Sequence, residues 1–288
     1  MTAGEVERAL ALVRGIQDRT STRRESFRWG RALFNDDIPE RYYSNFVRIE
    51  ASLAGVDVQE LGLEVDRALE GLRHRQLQLD DERDGSRIAM GLAALGYTAE
   101  HSAMHALRRE PDRPGSPGSA EELTFDQARP FAVEVYRREL AASDAATIER
   151  FADFRQVVQR AANGRFFAQR VEGRIAGLCE LYLVEGVAQI EHVDTLAEFR
   201  GRGIARTVIS RAVAEARAGG AELVLIEADL DDWPKELYRR LGFDEISRSW
   251  SFTRAPDVRR SATRDPAPSA VDAPGDQAHA RRATEPEE

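Results

Sequence analysis

A strand that runs through a glycine loop into a helix constrains this chain more than any other part of its sequence. Residues 190–205 read IEHVDTLAEFRGRGIA, an alternating strand, a short loop with Gly201 and Gly203, and the start of an amphipathic helix. Glycines let a backbone approach a ligand closely, and a helix start adds unsatisfied N–H donors and a partial positive charge. The segment therefore predicts a cradle for an anion, most naturally a pyrophosphate.

The elements around this loop predict an α/β fold of the α+β type, with a mixed, mostly antiparallel central sheet flanked by helices. Two segments with the apolar spacing of amphipathic helices come first, and three strand-like segments follow them. Hairpin-type turns at Glu172-Gly173 and Glu185-Gly186 join these three strands. The predicted helices are Leu123–Leu140, Thr147–Ala162, Ile204–Ala218 and Trp233–Leu241, and the predicted strands are Phe166–Val171, Ile175–Val184, Ala188–Thr195, Leu223–Ala228 and Phe243–Thr253.

The glycine loop resembles the coenzyme A signature of the GCN5-related N-acetyltransferase (GNAT) family. Arg200, Gly203 and Ala205 fill its three fixed places, with a strand directly before and a helix directly after. A second family feature, Leu237–Phe243 (LYRRLGF), follows at the expected distance. The resemblance covers roughly 121–253 and implies transfer of an acetyl group from acetyl-CoA, as co-substrate, to an amine of a small molecule or protein.

The resemblance also implies which residues hold coenzyme A. It puts Val193, Asp194 and Thr195 near the thioester and the pantetheine arm. Asp231 stands seven residues before Tyr238, where the family often has an asparagine that touches the pantetheine. The residues implied around the pyrophosphate are Arg200, Gly201, Arg202, Gly203, Ile204 and Ala205.

Amide formation from a thioester needs a neutral amine, a stabilised oxyanion and a protonated leaving group. Tyr238 resembles the family's acid for the departing thiolate, and its alternative is a tyrosine that packs a short helix onto the sheet. Glu191 is the predicted base, and its alternative is a solvated or salt-bridged strand residue. His192 is a second candidate base, and a water chain without a dedicated base is a third. Strand alternation predicts Glu191, Val193 and Thr195 on one face, with His192 and Asp194 on the other.

Composition divides the chain into four parts. The segment 109–120 is dense in Pro, Gly and Ser and predicts a linker, while 255–288 lacks aromatic residues and predicts a disordered tail. Residues 121–254 are then the predicted catalytic domain. Residues 1–108 resemble a second, degenerate GNAT-like half without a phosphate loop, because Ala89–Tyr97 ends in Leu-Gly-aromatic as Lys235–Phe243 does. A tandem arrangement is the prediction.

Charge and cysteine usage exclude several classes of function. The net charge of -9 argues against general binding to nucleic-acid backbones. No apolar run is long enough to span a bilayer, and the single cysteine, Cys179, fits a reducing cytosol. Cys179 lies in an apolar run and is interpreted as an inert thiol rather than a nucleophile. The spacing of His74, His101 and His105 matches no compact metal site, so no metal is predicted.

Two other functions remain open on the sequence. One is a coenzyme A-binding sensor or scaffold without turnover, since neither the base nor the Asp231 contact is fixed by a motif. The other is a nucleotide-binding α/β domain, which is disfavoured because Arg206 stands where the dinucleotide fingerprint has its third glycine. Neither the identity of the acceptor nor the oligomeric state can be read from the sequence.

Overall fold

The central feature of the molecule is one mixed sheet of eleven strands. In a computed structural model, the structure describes residues 3–113, 115–141, 143–231 and 234–255. The predicted disordered tail, apart from Ala255, lies outside the described residues. Within those described, the strands are β1 (Arg23–Phe27), β2 (Gly30–Phe34), β3 (Phe46–Ile49), β4 (Arg75–Leu79), β5 (Thr98–Leu107), β6 (Glu121–Leu123), β7 (Arg165–Val171), β8 (Arg174–Val184), β9 (Val187–Thr195), β10 (Leu223–Asp229) and β11 (Phe243–Arg254).

Seven α-helices among the described residues cover the two faces of this sheet. They are α1 (Ala3–Thr20), α2 (Val58–Ala68), α3 (Glu82–Ala94), α4 (Phe125–Glu139), α5 (Ala145–Ala162), α6 (Ile204–Ala218) and α7 (Pro234–Arg240). The apolar sides of α2 and α3 pack on the first half of the sheet, and α6 and α7 pack on the same face of the second half. The opposite face carries α1, α4 and α5. None of these helices is both long and apolar enough to cross a bilayer.

The strand order is β1-β2-β3-β4-β11-β5-β10-β9-β8-β7-β6. Only two of the recorded strand pairs are parallel, β3 with β4 and β9 with β10, so the sheet is mostly antiparallel. The predicted α+β fold class, with a central antiparallel sheet and flanking helices, is therefore confirmed.

The two halves of the chain repeat the same element order. Three antiparallel strands lead to a helix, a strand, a short helix and a final strand, first as β1-β2-β3-α2-β4-α3-β5 and then as β7-β8-β9-α6-β10-α7-β11. The final strands are exchanged. β11 lies between β4 and β5, and β5 lies between β10 and β11. Each half therefore contributes one strand to the sheet of the other.

The similar endings of the two halves play the same structural part. Gly96 and Gly242 both adopt positive φ, of 85° and 94°, directly after α3 and α7. Glycine has no steric penalty in this left-handed conformation, so the chain can leave each helix and enter the exchanged strand. A Cβ at Gly242 would lie 2.1 Å from the carbonyl oxygen of Arg109, so only glycine fits there.

Candidate functional site

A cleft opens where the two parallel strands β9 and β10 separate. They pair from Val187 with Leu223 as far as Ile190 with Ile226. Beyond that point β9 continues along β8 to Thr195, and β10 continues along β5 to Asp229. The backbone between the two diverging ends is thus not closed by a ladder of hydrogen bonds, and a narrow ligand could enter between them.

A bulge in β9 changes which side chains face the cleft. His192 adopts a positive φ of 49°, and β9 places one more residue than β8 between two successive pairs, Glu180 with Glu191 and Leu178 with Asp194. An extra residue interrupts the alternation of faces. Ile190 and Val193 therefore both pack towards α6, while Glu191 faces away from it. The prediction that Glu191 and Val193 share a face is wrong, because strict alternation does not hold across a bulge.

Asp194 lies on the face of Glu191, inside a buried ion triad. The Arg155 guanidinium of α5 lies 3.3 Å from the carboxylates of both Asp194 and Glu180. Its Nε also donates to the hydroxyl of Tyr136 at 3.3 Å. Burial raises the pKa of Asp194 and Arg155 opposes this, while burial raises the pKa of Glu180 to about 7. The triad ties the bulged end of β9 to α5.

The glycine loop leaves an open approach to the start of α6. Gly201 and Gly203 have positive φ angles of 75° and 76°, and a Cβ on either would meet no atom within 4 Å. Gly203 is the residue before the first turn of α6, whose leading N–H groups have no intrahelical acceptor. Arg200, Gly201, Arg202 and Gly203 are exposed, whereas Ile204 and Ala205 are buried beneath them. The predicted anion cradle is therefore sterically open on its outer side.

A cavity of about 310 Å³ lies on the other face of the sheet, under α1 and α5. Its floor crosses six neighbouring strands, from β4 to β8, which is roughly 24 Å at the usual spacing of about 4.8 Å. Glu191 and His192 lie at the β9 end of this cavity, beside the diverging strands. Asp80 and Glu100 of the first half lie towards its far end. The cavity therefore joins the cleft to a space built by both halves of the chain.

Two carboxyl groups of this cavity, Glu191 and Glu227, have raised pKa values. Burial, with the carboxylate of Glu227 as the next cause, raises the pKa of Glu191 to about 8. Burial, followed by the charge of Asp80, raises the pKa of Glu227 to about 7. Burial also lowers the pKa of His192 well below its usual value, so this imidazole stays neutral. A carboxyl group that titrates near neutral pH can both take up and release a proton.

Comparison with known proteins identifies the segment that carries the cleft. Residues 126–243 match the model of the acetyltransferase (GNAT) family. This chain therefore contains a GNAT domain. Over 107 residues it is 29% identical to an uncharacterized N-acetyltransferase from Methanocaldococcus jannaschii, a match that covers 34% of this chain and 47% of that protein. The chain thus spans about half the length of this curated relative.

Solved structures extend the likeness of fold to both halves. A GCN5-related N-acetyltransferase from Kribbella flavida is 17% identical, with a TM-score of 0.59 over 86% of this chain and 94% of that chain. A conserved protein of unknown function from Staphylococcus epidermidis is 13% identical, with a TM-score of 0.60 over 82% and 94%. A tandem GNAT protein from the clavulanic acid biosynthesis pathway is 17% identical, with a TM-score of 0.51 over 78% of each chain.

Tyr238 and Glu191 lie on opposite faces of the sheet in this GNAT domain. Tyr238 is buried on α7, in the apolar cluster that α6 forms with Ile190, Val193 and Ala228. Its ring lies 6.4 Å from that of His105 and 6.5 Å from that of Phe243. Glu191 lies in the cavity behind the sheet. The cleft between the diverging ends of β9 and β10 lies between these two faces.

The remaining predicted contacts lie around the mouth of the cleft. Thr195 is buried at the end of β9, and its carbonyl accepts a hydrogen bond from Nε of Arg200 at 3.4 Å. Asp231 is exposed in the turn after β10, where its backbone N–H donates to the side chain of Asp229 at 2.8 Å. The two strand ends and the loop therefore converge on one side of the molecule.

The first half of the chain does not form a corresponding cleft. β3 and β4 stay paired up to Ile49 with Leu79, the last residues of both strands. The loop that follows β3 is closed from inside, because Asp84 of α3 accepts the backbone N–H of Leu53 at 2.7 Å. Asp57 caps α2 with its side chain, which accepts the N–H groups of Gln59 and Glu60. An anion would find these donors already satisfied.

Cys179 packs in the apolar core between the sheet and α6. Cys179 is fully buried, and its thiol donates to the carbonyl of Val208 at 3.4 Å. Burial raises its pKa well above the usual value, so this thiol does not form a nucleophilic thiolate. Within the described ranges, no group of three His, Cys, Asp or Glu side chains could hold a metal ion. The absence of a metal stays a prediction.

Sequence reasoning missed Glu227 and Arg155. Glu227 interrupts the apolar run of β10, and Arg155 interrupts the apolar face of α5. A charged residue within an apolar pattern is a signal of a buried polar site, since such residues are almost never fully buried unless paired. The signal was present for both, but only the tertiary structure shows what faces them.

Proposed function

We propose that this chain is an N-acetyltransferase that transfers an acetyl group from acetyl-CoA to an amine by direct attack in a ternary complex. The observation that carries the proposal is the divergence of β9 and β10 directly beside the open glycine loop. A pyrophosphate at the start of α6 would leave the pantetheine arm pointing along β9 into this cleft. Its thioester would then lie between the cavity of Glu191 and the buried face of Tyr238.

The roles follow from the two faces. The amine enters the cavity, and Glu191 takes a proton from its ammonium so that the nitrogen can attack the thioester carbonyl. Backbone N–H groups of Val193–Thr195 stabilise the oxygen as it becomes negative, as such donors do in acyl transfer. The C–S bond then breaks and Tyr238 protonates the sulfur. The nitrogen enters as an ammonium group and ends as an amide, so it loses two protons in all. One of them is released through Glu191. The other restores the proton that Tyr238 gave to the sulfur.

The experiment that tests this proposal is calorimetric titration of acetyl-CoA into the wild type and into Gly203→Glu. The glutamate would put a negative charge where the pyrophosphate is expected, so binding should be lost. Because φ at Gly203 is 76°, any side chain there also strains the backbone. A matched control is therefore needed for the strain alone.

Gly55→Glu supplies that control. Gly55 has a φ of 75° and open space around its Cβ position, in the corresponding loop of the first half. Binding in the wild type and in Gly55→Glu, with loss in a folded Gly203→Glu, is the expected result. If Gly203→Glu and Gly55→Glu bind acetyl-CoA equally well, the cofactor site does not lie at the glycine loop. Binding without turnover against a panel of amines would instead favour a coenzyme A sensor.

A further inference from the structure

Glu227 lies beside Glu191 on the neighbouring strand. Ile226 of β10 pairs with Ile190 of β9, and the next residue on each strand is a glutamate. Both glutamates alternate with core isoleucines, so both point to the cavity face. Each stands one residue beyond the last β9–β10 pair, close enough for the carboxylate of Glu227 to raise the pKa of Glu191. Burial first, and then a nearby carboxylate (Glu227 for Glu191, Asp80 for Glu227), keeps each glutamate partly in its neutral acid form near pH 7.

No cation within the described residues neutralises this pair of glutamates. The side-chain amide of Gln189 donates to Glu191, and the hydroxyls of Ser102 and Ser249 donate to Glu227. Two arginines line the cavity, Arg41 and Arg248. Arg41 donates to the hydroxyl of Ser44 at 2.7 Å and lies over the ring of Phe154, and Arg248 pairs with Glu245 at 2.7 Å. Two enclosed carboxyl groups without a counter-ion are costly unless a ligand supplies the charge.

We propose that Glu227 is an acceptor-binding residue, which together with Glu191 holds the incoming amine as an alkylammonium ion at the β9–β10 end of the cavity. This inference rests on the proposed function and names its substrate class, a primary aliphatic amine that enters in the charged form. The two glutamates have different roles because of their positions. Glu191 adjoins the bulge of β9 and takes the proton from the ammonium group, while Glu227 remains the counter-ion of that group.

The rest of the cavity suits the carbon chain of such an amine. Leu10, Val13 and Ile16 of α1 cover it with apolar side chains. The floor beneath them is polar but carries no charge along Ser102, Ser247 and Ser249. An alkyl chain can lie under the helix while its ammonium group lies between the two glutamates. Neutral aryl amines and anionic acceptors lack the charge that this end of the cavity requires.

The test is an NMR titration of the full chain with n-hexylammonium chloride, with 1-hexanol as the neutral probe of the same length. Wild type should bind the ammonium ion more tightly than the alcohol. Glu227→Gln should weaken ammonium binding about ten- to hundredfold, the usual effect of losing a hydrogen bond to a charged group. Its affinity for 1-hexanol should not change. Equal ammonium affinity in wild type and Glu227→Gln, or no preference for the ammonium ion in wild type, overturns the proposal.

A matched variant and a second ligand make the result specific. Glu222→Gln makes the same change at an exposed glutamate that pairs with Arg8, and should bind n-hexylammonium as wild type does. Acetyl-CoA is titrated into the same samples. If ammonium binding depends on Glu227 but acetyl-CoA does not bind, the proposed function is wrong and the ammonium site remains. Acetyl-CoA binding with no effect of Glu227→Gln on ammonium affinity would sink this inference alone.

Discussion

At the scale of single residues, the environment of Glu191 matters more than its identity. A glutamate on a strand has an ordinary pKa when solvated, but here burial and a neighbouring carboxylate raise the pKa to about 8. The deprotonated form of Glu191 is then a stronger base than a solvated glutamate, although a smaller fraction of Glu191 is deprotonated at pH 7. Both consequences are measurable.

The first residue-scale prediction concerns the pH dependence of acetylation. A base acts only when deprotonated, so kcat with a saturating primary alkylamine should rise with pH, with a midpoint near 8. Glu191→Gln should remove this rise and lower kcat about 10²- to 10⁴-fold. Steady-state rates between pH 6 and 9.5 measure both. A profile that is unchanged in Glu191→Gln would assign the base to another group.

The second residue-scale prediction links Glu227 to stability. Its pKa in the folded chain is about 7, above the value of 4.5 for an ordinary glutamate, so the folded state binds more protons than the unfolded state between these values. Stability from this group is therefore present below about pH 4.5 and is lost as pH rises through about 7. Glu227→Gln should raise Tm at pH 8 and change it much less at pH 5. An equal change at both pH values would contradict a perturbed carboxyl group.

At the scale of elements, the site depends on how β8, β9 and α5 are held together. The bulge at His192 turns the end of β9 so that Val193 packs against α6 and Asp194 against Arg155. Arg155 is almost fully buried and is the cation that the structure shows for both Glu180 and Asp194. One side chain of α5 thus fixes the geometry of the strand end that borders the cleft.

The prediction at this scale is that Arg155→Gln is strongly destabilising. It would leave Glu180 and Asp194 buried without their cation, and removing one partner of a buried pair usually costs about 3–5 kcal/mol. Urea unfolding measures the loss. Arg129→Gln on α4 is the matched change at an ion pair of partly exposed groups, with Glu149 and Asp153, and should cost about 1 kcal/mol or less. Similar losses in both variants would mean that the triad adds little.

At the scale of the whole molecule, the exchange of strands makes the two halves depend on each other. β5 belongs to the first half but pairs with β10 and β11 of the second along most of its length. The first half also supplies α1 and β4 to the lining of the cavity that contains Glu191. The first half, which forms no cleft of its own, thus builds part of the space proposed for the acceptor.

The whole-molecule prediction is that residues 121–288 do not fold alone. Without β5, two long strand edges of β10 and β11 would lose their partner and expose unpaired backbone groups. Circular dichroism and size-exclusion chromatography should show an unfolded or aggregated fragment. Expression of residues 1–120 together with 121–288 as two chains should restore a soluble, cooperatively unfolding complex. A fragment 121–288 that is monomeric and folded by itself would show that the exchanged strand is dispensable.

Most of the local structure could be predicted from the sequence. The helix Ile204–Ala218 was predicted with its observed bounds, and the turns at Glu172-Gly173 and Glu185-Gly186 have the predicted hairpin geometry. The hairpin β1–β2 was missed, because Arg23–Phe27 carries three charged residues and has no apolar alternation. An edge strand can be polar on both faces, and periodicity then gives no signal.

The sequence by itself determined the elements, the glycine loop and the family resemblance, because these depend on neighbours within a few residues. The tertiary structure decided the rest. The bulge at His192 reverses the expected faces of Glu191 and Val193, and the strand exchange joins both halves into one sheet. Glu227 becomes a partner of Glu191 only because β9 and β10 lie side by side. Burial, and with it the pKa of both carboxyl groups, arises from contacts between residues that are distant in the chain.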